Sequence, residues 1–185
     1  APYDGPETSE PGETYVIGWD PGRNIDYSGV AIRNSKGQVV KVEQWSGKSW
    51  TTQVDLIEYY SKLYNYAHIV VDRTGLGETL PEALIQRGLS VEAVYFSNQE
   101  KEKMVNHLAM LIEQKAISYP NDPVLLAELK DYGYSISPTG NVKYGNSSKG
   151  THDDLCTALF LCMKSYNLPE ITIPWMGLLG GIKKR

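Results

Sequence analysis

Four aspartates end or open the apolar segments of this chain. Asp20 closes the run "TYVIGWD" (14–20) and is followed at once by Pro21-Gly22. Asp72 closes a second run, "AHIVVD" (67–72), and Asp153 and Asp154 lie in "THDD" at the mouth of a long apolar stretch. Gathering three or four carboxylates in a partly dry pocket is unfavourable, because each raises the others' pKa. A divalent cation removes that cost, and hard oxygen donors suit Mg²⁺ or Mn²⁺. Two such ions about 3.5–4 Å apart can hold both the attacking and the leaving oxygen of a phosphodiester. Each acid also has a plainer explanation. Asp20-Pro21-Gly22 can simply start a turn, or that turn can offer backbone N–H groups to a nucleotide phosphate. Asp72 can cap the next segment. Thr151 to Asp154 fits a capping box, with Thr151 as N-cap and Asp154 at the third position. The coincidence of all of them at one edge favours metal, and the helical wheel does not choose between Asp153 and Asp154.

The edge follows from the elements that carry the acids. Residues 14–20 are apolar on both faces, as in a central strand. "SGVAIRN" and "QVVKVEQWS" flank Ser35-Lys36-Gly37 as a hairpin. Helical spacing runs through 50–66, a second buried strand through 67–72, and a short helix through "LPEALIQRG" with Pro81 near its start and Gly88 at its end. "SVEAVYFS" alternates as a strand, and 98–116 and 122–133 read as helices. Residues 134–145 read as a hairpin with Pro138 to Asn141 at its tip, and 152–167 as a helix apolar nearly all round. The expected fold is a mixed α/β sheet with helices on both faces plus an accessory hairpin. A right-handed crossover through 50–66 sets strand 67–72 parallel to strand 14–20, so that Asp20 and Asp72 share the carboxyl edge where open α/β sheets place ligands.

The totals narrow the setting. A length of 185 residues fits one domain with tails, and 41% hydrophobic residues suffice for a core. No apolar stretch approaches the roughly 18–20 residues of a membrane span, and the acidic N-terminus is not a signal peptide. Cys156 and Cys162 read as buried thiols of a reducing compartment. A net charge of −4 argues against wholesale coating of nucleic acid, though not against local contact. Residues 1–13 read as a linker or disordered leader, 14–168 as the domain and 169–185 as a tail. A chain that begins in a linker suggests a piece of a longer protein.

The segments "YVIGWDPGRNIDYSGVAI", "IVVDRTGLGETL", "GNVKYGNSSKGTHDDLCTALFL" and the helix starting "NQEKEKMVNHL" resemble the nuclease domain of large terminase subunits of tailed bacteriophages. The resemblance runs from about Thr14 to Asn167. It implies a ribonuclease H-like fold and an endonuclease that cuts double-stranded concatemeric viral DNA during packaging, using two Mg²⁺ or Mn²⁺ ions. By motif match, Asp20 would bridge the ions, Asp72 would be the second-strand ligand, and Asp153 with Asp154 would complete the set. His152 falls at a frequent histidine position, near DNA or the attacking water. The implied partners are duplex DNA, an N-terminal ATPase motor of the full-length protein, the portal or procapsid, and the small terminase subunit. The implied place is the host cell cytoplasm at the procapsid, with no membrane. No phosphate-binding motor motif occurs in this chain.

Positive charge beside the acids would meet phosphate: Arg23, Arg73, Lys143 and Lys149 are the candidates, with His152. Lys101 and Lys103 read as plain surface. The hairpin 134–145 either steers DNA or is a surface ribbon, Tyr132, Tyr134 and Tyr144 stack or pack, and Trp45 and Trp50 pack. The first motif also resembles that of RuvC-type Holliday-junction resolvases, whose second acid is usually a glutamate in another context. An actin-like ATPase would need a second phosphate loop and leaves His152-Asp153-Asp154 without work. A catalytically silent DNA-gripping module would bind without cutting.

Overall fold

In the computed structural model, the structure describes residues 8–22, 25–74, 79–136, 138, 142–146 and 152–167. The elements follow the expected order: β1 (Tyr15–Asp20), β2 (Ser28–Asn34), β3 (Val39–Trp45), α1 (Trp50–Leu63), β4 (His68–Asp72), α2 (Thr79–Gln86), β5 (Val91–Val94), α3 (Asn98–Glu113), α4 (Pro123–Asp131), β6 (Tyr132–Ile136), β7 (Val142–Asn146) and α5 (Asp154–Met163). Five strands form one sheet in the order β3-β2-β1-β4-β5, and β6 and β7 form a separate hairpin. β1, β2 and β3 are antiparallel neighbours, whereas β1, β4 and β5 run parallel. β1 is therefore central, which explains its apolar residues on both faces.

Alternation along the strands divides the interior in two. Ile17, Trp19, Val30, Ile32, Ile69 and Val71 face α1 and α2, meeting Val54, Ile57, Leu80 and Leu84. Ala31, Val39 and Val70 face α5, with Leu108 and Leu111 of α3 and Leu125 of α4 outside it. α5 lies between the sheet and two helices, so every residue from Leu155 to Met163 is buried. Cys156 and Cys162 are buried free thiols within it.

Two glycines set how closely α5 approaches. A Cβ on Gly18 of β1 would lie 2.0 Å from the Ala158 carbonyl oxygen and 2.5 Å from the Cys162 nitrogen. A Cβ on Gly29 of β2 would lie 2.1 Å from the Asp154 carbonyl oxygen. The helix backbone rests directly on the sheet at both points, where any side chain would hold it off.

The leader expected over 1–13 is partly seated. Asn65, in the left-handed region at φ 54°, donates from Nδ2 to the carbonyls of Glu10 and Glu13, each at 2.9 Å. Glu13 Oε1 accepts from the Ser35 N–H at 3.1 Å. Residues 1–7 and the tail 169–185 lie outside the described residues. Among the described residues no helix is long and apolar enough to cross a membrane.

Candidate functional site

Strand register brings the first two acids together. Trp19 of β1 pairs in parallel with Val71 of β4, so the next residues, Asp20 and Asp72, emerge side by side at the same edge. Across the other side of β1, Asp20 pairs with Gly29, and it is over Gly29 that the Asp154 backbone sits. The glycine contact thus delivers the start of α5 to the edge where both strand acids end. Asp153 Oδ2 lies 3.6 Å from the position a Cβ on Gly145 of β7 would take, so the hairpin borders the same place.

In the turn after Asp20, the described backbone N–H is already engaged within the protein. The Gly22 N–H donates to Ser28 Oγ at 2.8 Å, and Ser28 Oγ donates to Gln53 Oε1 at 2.8 Å. Gln53 Nε2 returns to the Gly22 carbonyl at 3.0 Å. Pro21 has no N–H to offer. What the turn presents at the edge is the carboxylate.

The electrostatics identify one cluster. Burial raises Asp20 well above the usual carboxylate range, and Asp72, Asp154 and Asp153 push it further, against a favourable pull from Lys101. Burial also raises Asp72, while hydrogen bonding to Thr74 (its N–H lies 2.7 Å from Asp72 Oδ1) and the Lys101 charge oppose the rise. Asp154 is pushed up to about 6, chiefly by burial and then by Asp153, with His152 and Gln44 opposing. Asp20, Asp72 and Asp154 are thereby each easier to protonate, or to pair with a cation, than a free carboxylate. Among the described residues, no three His, Cys, Asp or Glu groups converge closely enough to enclose an ion as they are placed.

The capping-box explanation of "THDD" fails. The N-cap of α5 is Asp153, not Thr151, which lies outside the described residues, and the Asp153 side chain makes no capping hydrogen bond. His152 is exposed, with Nδ1 3.6 Å from Asp154 Oδ2 and its ring 4.6 Å from that of Tyr27, edge to face.

Of the candidate cations, Arg73 follows Asp72 and its N–H bonds the Val94 carbonyl at 2.9 Å, which places it at the acid edge. Lys143 is exposed on the hairpin, opposite Ser135. Arg23 and Lys149 lie outside the described residues. Lys101 corrects the expectation of plain surface: its charge acts on both Asp20 and Asp72, and its ammonium lies 5.6 Å over the Phe96 ring. Lys103 is a surface residue 3.8 Å from Glu100. Tyr132 packs edge to face on Phe160 at 5.0 Å, whereas Tyr134 stands exposed beside Tyr144. Trp45 is buried and Trp50 packs beside it in the same core, as expected.

Sequence reasoning missed Glu128 and Gln44. Glu128, only 6% exposed, is pushed up to about 7 by burial and by Asp154 and Asp153. Gln44 Nε2 donates to Glu128 Oε1 at 3.4 Å and to Asp154 Oδ2 at 3.3 Å. The signal was present: Glu128 is three residues past Leu125 and four before Tyr132, on the apolar face of its helix. A cavity of about 250 Å³ opens beside them, bordered by Tyr27, Gln44, Glu128, Asp131 and His152.

Comparison with known proteins bears on the family and the fold. The family model of the terminase RNaseH-like domain matches residues 17–165. The large terminase subunit of Thermus virus P23-45 is 32% identical over 162 residues, covering 86% of this chain and 33% of that protein. The chain therefore spans about a third of the length of that curated relative. The large terminase nuclease from thermophilic phage G20c with bound magnesium has a similar structure (TM-score 0.82, 31% identity, 87% of this chain and 86% of that one). The same nuclease with bound cobalt gives a TM-score of 0.81 at 31% identity, again covering 87% and 86%.

Proposed function

We propose that this chain, which belongs to the terminase RNaseH-like domain family, cuts double-stranded concatemeric viral DNA during genome packaging by hydrolysing phosphodiester bonds with the help of divalent cations. The observation that carries the reading is the convergence of Asp72, Asp153 and Asp154 on the buried Asp20 at one sheet edge, set by the β1–β4 register and by the seating of α5 over Gly29. Among the described residues the donor set is carboxylate oxygen, which fits a hard cation. Asp20, central in the set, would hold Mg²⁺ or Mn²⁺ together with Asp72, Asp153 and Asp154. When bound, such ions would acidify a water and neutralise charge on the departing 3′ oxygen, leaving 5′-phosphate and 3′-hydroxyl ends. The chain's own task is to hold four like charges at one edge. Lys101 offsets part of the charge meanwhile. Arg73, Lys143 and His152, with Arg23 and Lys149, would orient the DNA backbone.

The magnesium- and cobalt-bound relative supports divalent cation use. The remaining two thirds of the curated relative leaves room for the ATPase motor that would hold DNA while this domain cuts. The portal or procapsid and the small terminase subunit are the further proposed partners, in the host cytoplasm. The decisive experiment is plasmid incubated with the protein and Mn²⁺, Mg²⁺ or EDTA, beside an Asp20→Asn variant. Cleavage is expected with either ion and abolished by EDTA or by Asp20→Asn, with circular dichroism unchanged. Normal cutting by Asp20→Asn would remove the site assignment. A preference for four-way junctions over linear duplex would favour the resolvase reading.

A further inference from the structure

We propose that Glu128 is a positioning residue that caps α5 from α4, leaving Asp153 and Asp154 to cations; this rests on the reading of those acids given above. The first N–H groups of a helix need acceptors from outside its own ladder. Three helices here take theirs from their N-cap side chains. Ser49 accepts from the Thr52 N–H in α1, Ser97 from Glu100 in α3, and Asp122 from Val124 and Leu125 in α4. α5 has an aspartate in the same place, yet the Asp153 side chain makes no capping hydrogen bond. Instead the Cys156 N–H, the third of α5, donates to Glu128 Oε2 at 2.8 Å, and the Leu155 N–H bonds the same carboxylate. The cap thus comes from a residue 28 positions earlier, nearly buried between α4 and α5.

An aspartate at the start of a helix is drawn to its own N–H groups. The Asp154 carboxylate already accepts from its own N–H; were Asp153 or Asp154 also to take the Leu155 and Cys156 N–H groups, a further oxygen would be spent on the helix and turned along its axis. Glu128 occupies those donors first. Gln44 links the two functions, since one amide serves Glu128 Oε1 and Asp154 Oδ2 and fixes the acid relative to the cap.

The test compares Glu128→Ala, Glu128→Gln and Asp20→Asn in the full chain. Mn²⁺ binding is read from the electron paramagnetic resonance of free Mn²⁺, and cleavage is titrated with Mn²⁺ separately. Glu128→Ala is expected to raise the half-saturating Mn²⁺ concentration about tenfold, as loss of a ligand-orienting partner does. Its cleavage should recover at saturating Mn²⁺. Glu128→Gln keeps an oxygen for the two N–H groups and is expected to bind Mn²⁺ like the wild type. Should Glu128→Ala not fold, Glu128→Asp, which keeps the charge but falls one methylene short of the helix, is expected to weaken Mn²⁺ similarly. Wild-type affinity in Glu128→Ala or Glu128→Asp overturns the proposal, as does a Glu128→Gln as weak as Glu128→Ala. Asp20→Asn reports on the underlying reading alone: if it binds Mn²⁺ and cuts like the wild type, the acids are not the site, whatever the Glu128 variants do.

Discussion

At the scale of single residues, the site is a cluster of charges that oppose one another until something positive arrives. Asp20 carries the most strain of this kind, because burial and three other acids act on it together. Removing one of these charges should therefore help the protein stand while harming what it does. In EDTA at neutral pH, Asp20→Asn or Asp154→Asn is expected to gain about 1 kcal/mol, a rise in melting temperature of roughly 2–4 °C. Scanning calorimetry reads this directly, and a lower melting temperature for both variants would mean the carboxylates are not in conflict. The four acids were legible in the sequence because each ends or opens an apolar segment, where a charge has few structural reasons to be. Lys101 was not legible: which face of α3 meets the acids depends on how that helix lies against the core. Glu128 was written as a carboxylate on an apolar face, a conflict of pattern that only the neighbouring start of α5 resolves.

At the scale of elements, the important contact is backbone on backbone, where α5 rests on Gly18 and Gly29. Gly18→Ala inserts a methyl beneath the middle of the helix and is expected to cost about 3 kcal/mol in urea unfolding, since neither backbone can yield easily. Gly29→Ala lies under Asp154 at the end of the helix, where fraying absorbs part of the strain. It is expected to reduce cleavage in greater proportion than stability, and equal loss of both would deny it a role in placing the acid. The hydrophobic pattern announced α5 as buried, but could not say which strand it crosses or that glycines make the crossing. The capping box was a local pattern overruled by a longer-range partner, as happens when a helix start is packed rather than solvated.

At the scale of the whole molecule, the order of strands and helices was readable because each element has a clear period and clear punctuation, and the right-handed crossover left one way to place β4. The seating of Glu10 and Glu13 on Asn65 depends on polar contacts that leave no periodic trace. The acid cluster also makes overall stability respond to pH. Asp154 is pushed up to about 6 and Glu128 to about 7, both first by burial. Groups raised on folding contribute stability that is complete below their unfolded pKa of about 4, and lose it as pH rises through the folded values. In EDTA the melting temperature is expected to fall between about pH 4 and pH 7 through these groups, and Mn²⁺ is expected to restore it at the upper end. A flat or rising profile would contradict the assigned burial.

The seating of α5 over Gly29 has a consequence in time as well as in space. Asp20 and Asp72 belong to the first half of the chain, whereas Asp153 and Asp154 arrive with the last helix. During synthesis the sheet edge can form with two acids and no complete cation site. On the proposed reading, cleavage is therefore the last property the growing domain acquires, and a prematurely ended chain would carry the sheet edge with only two of the four acids.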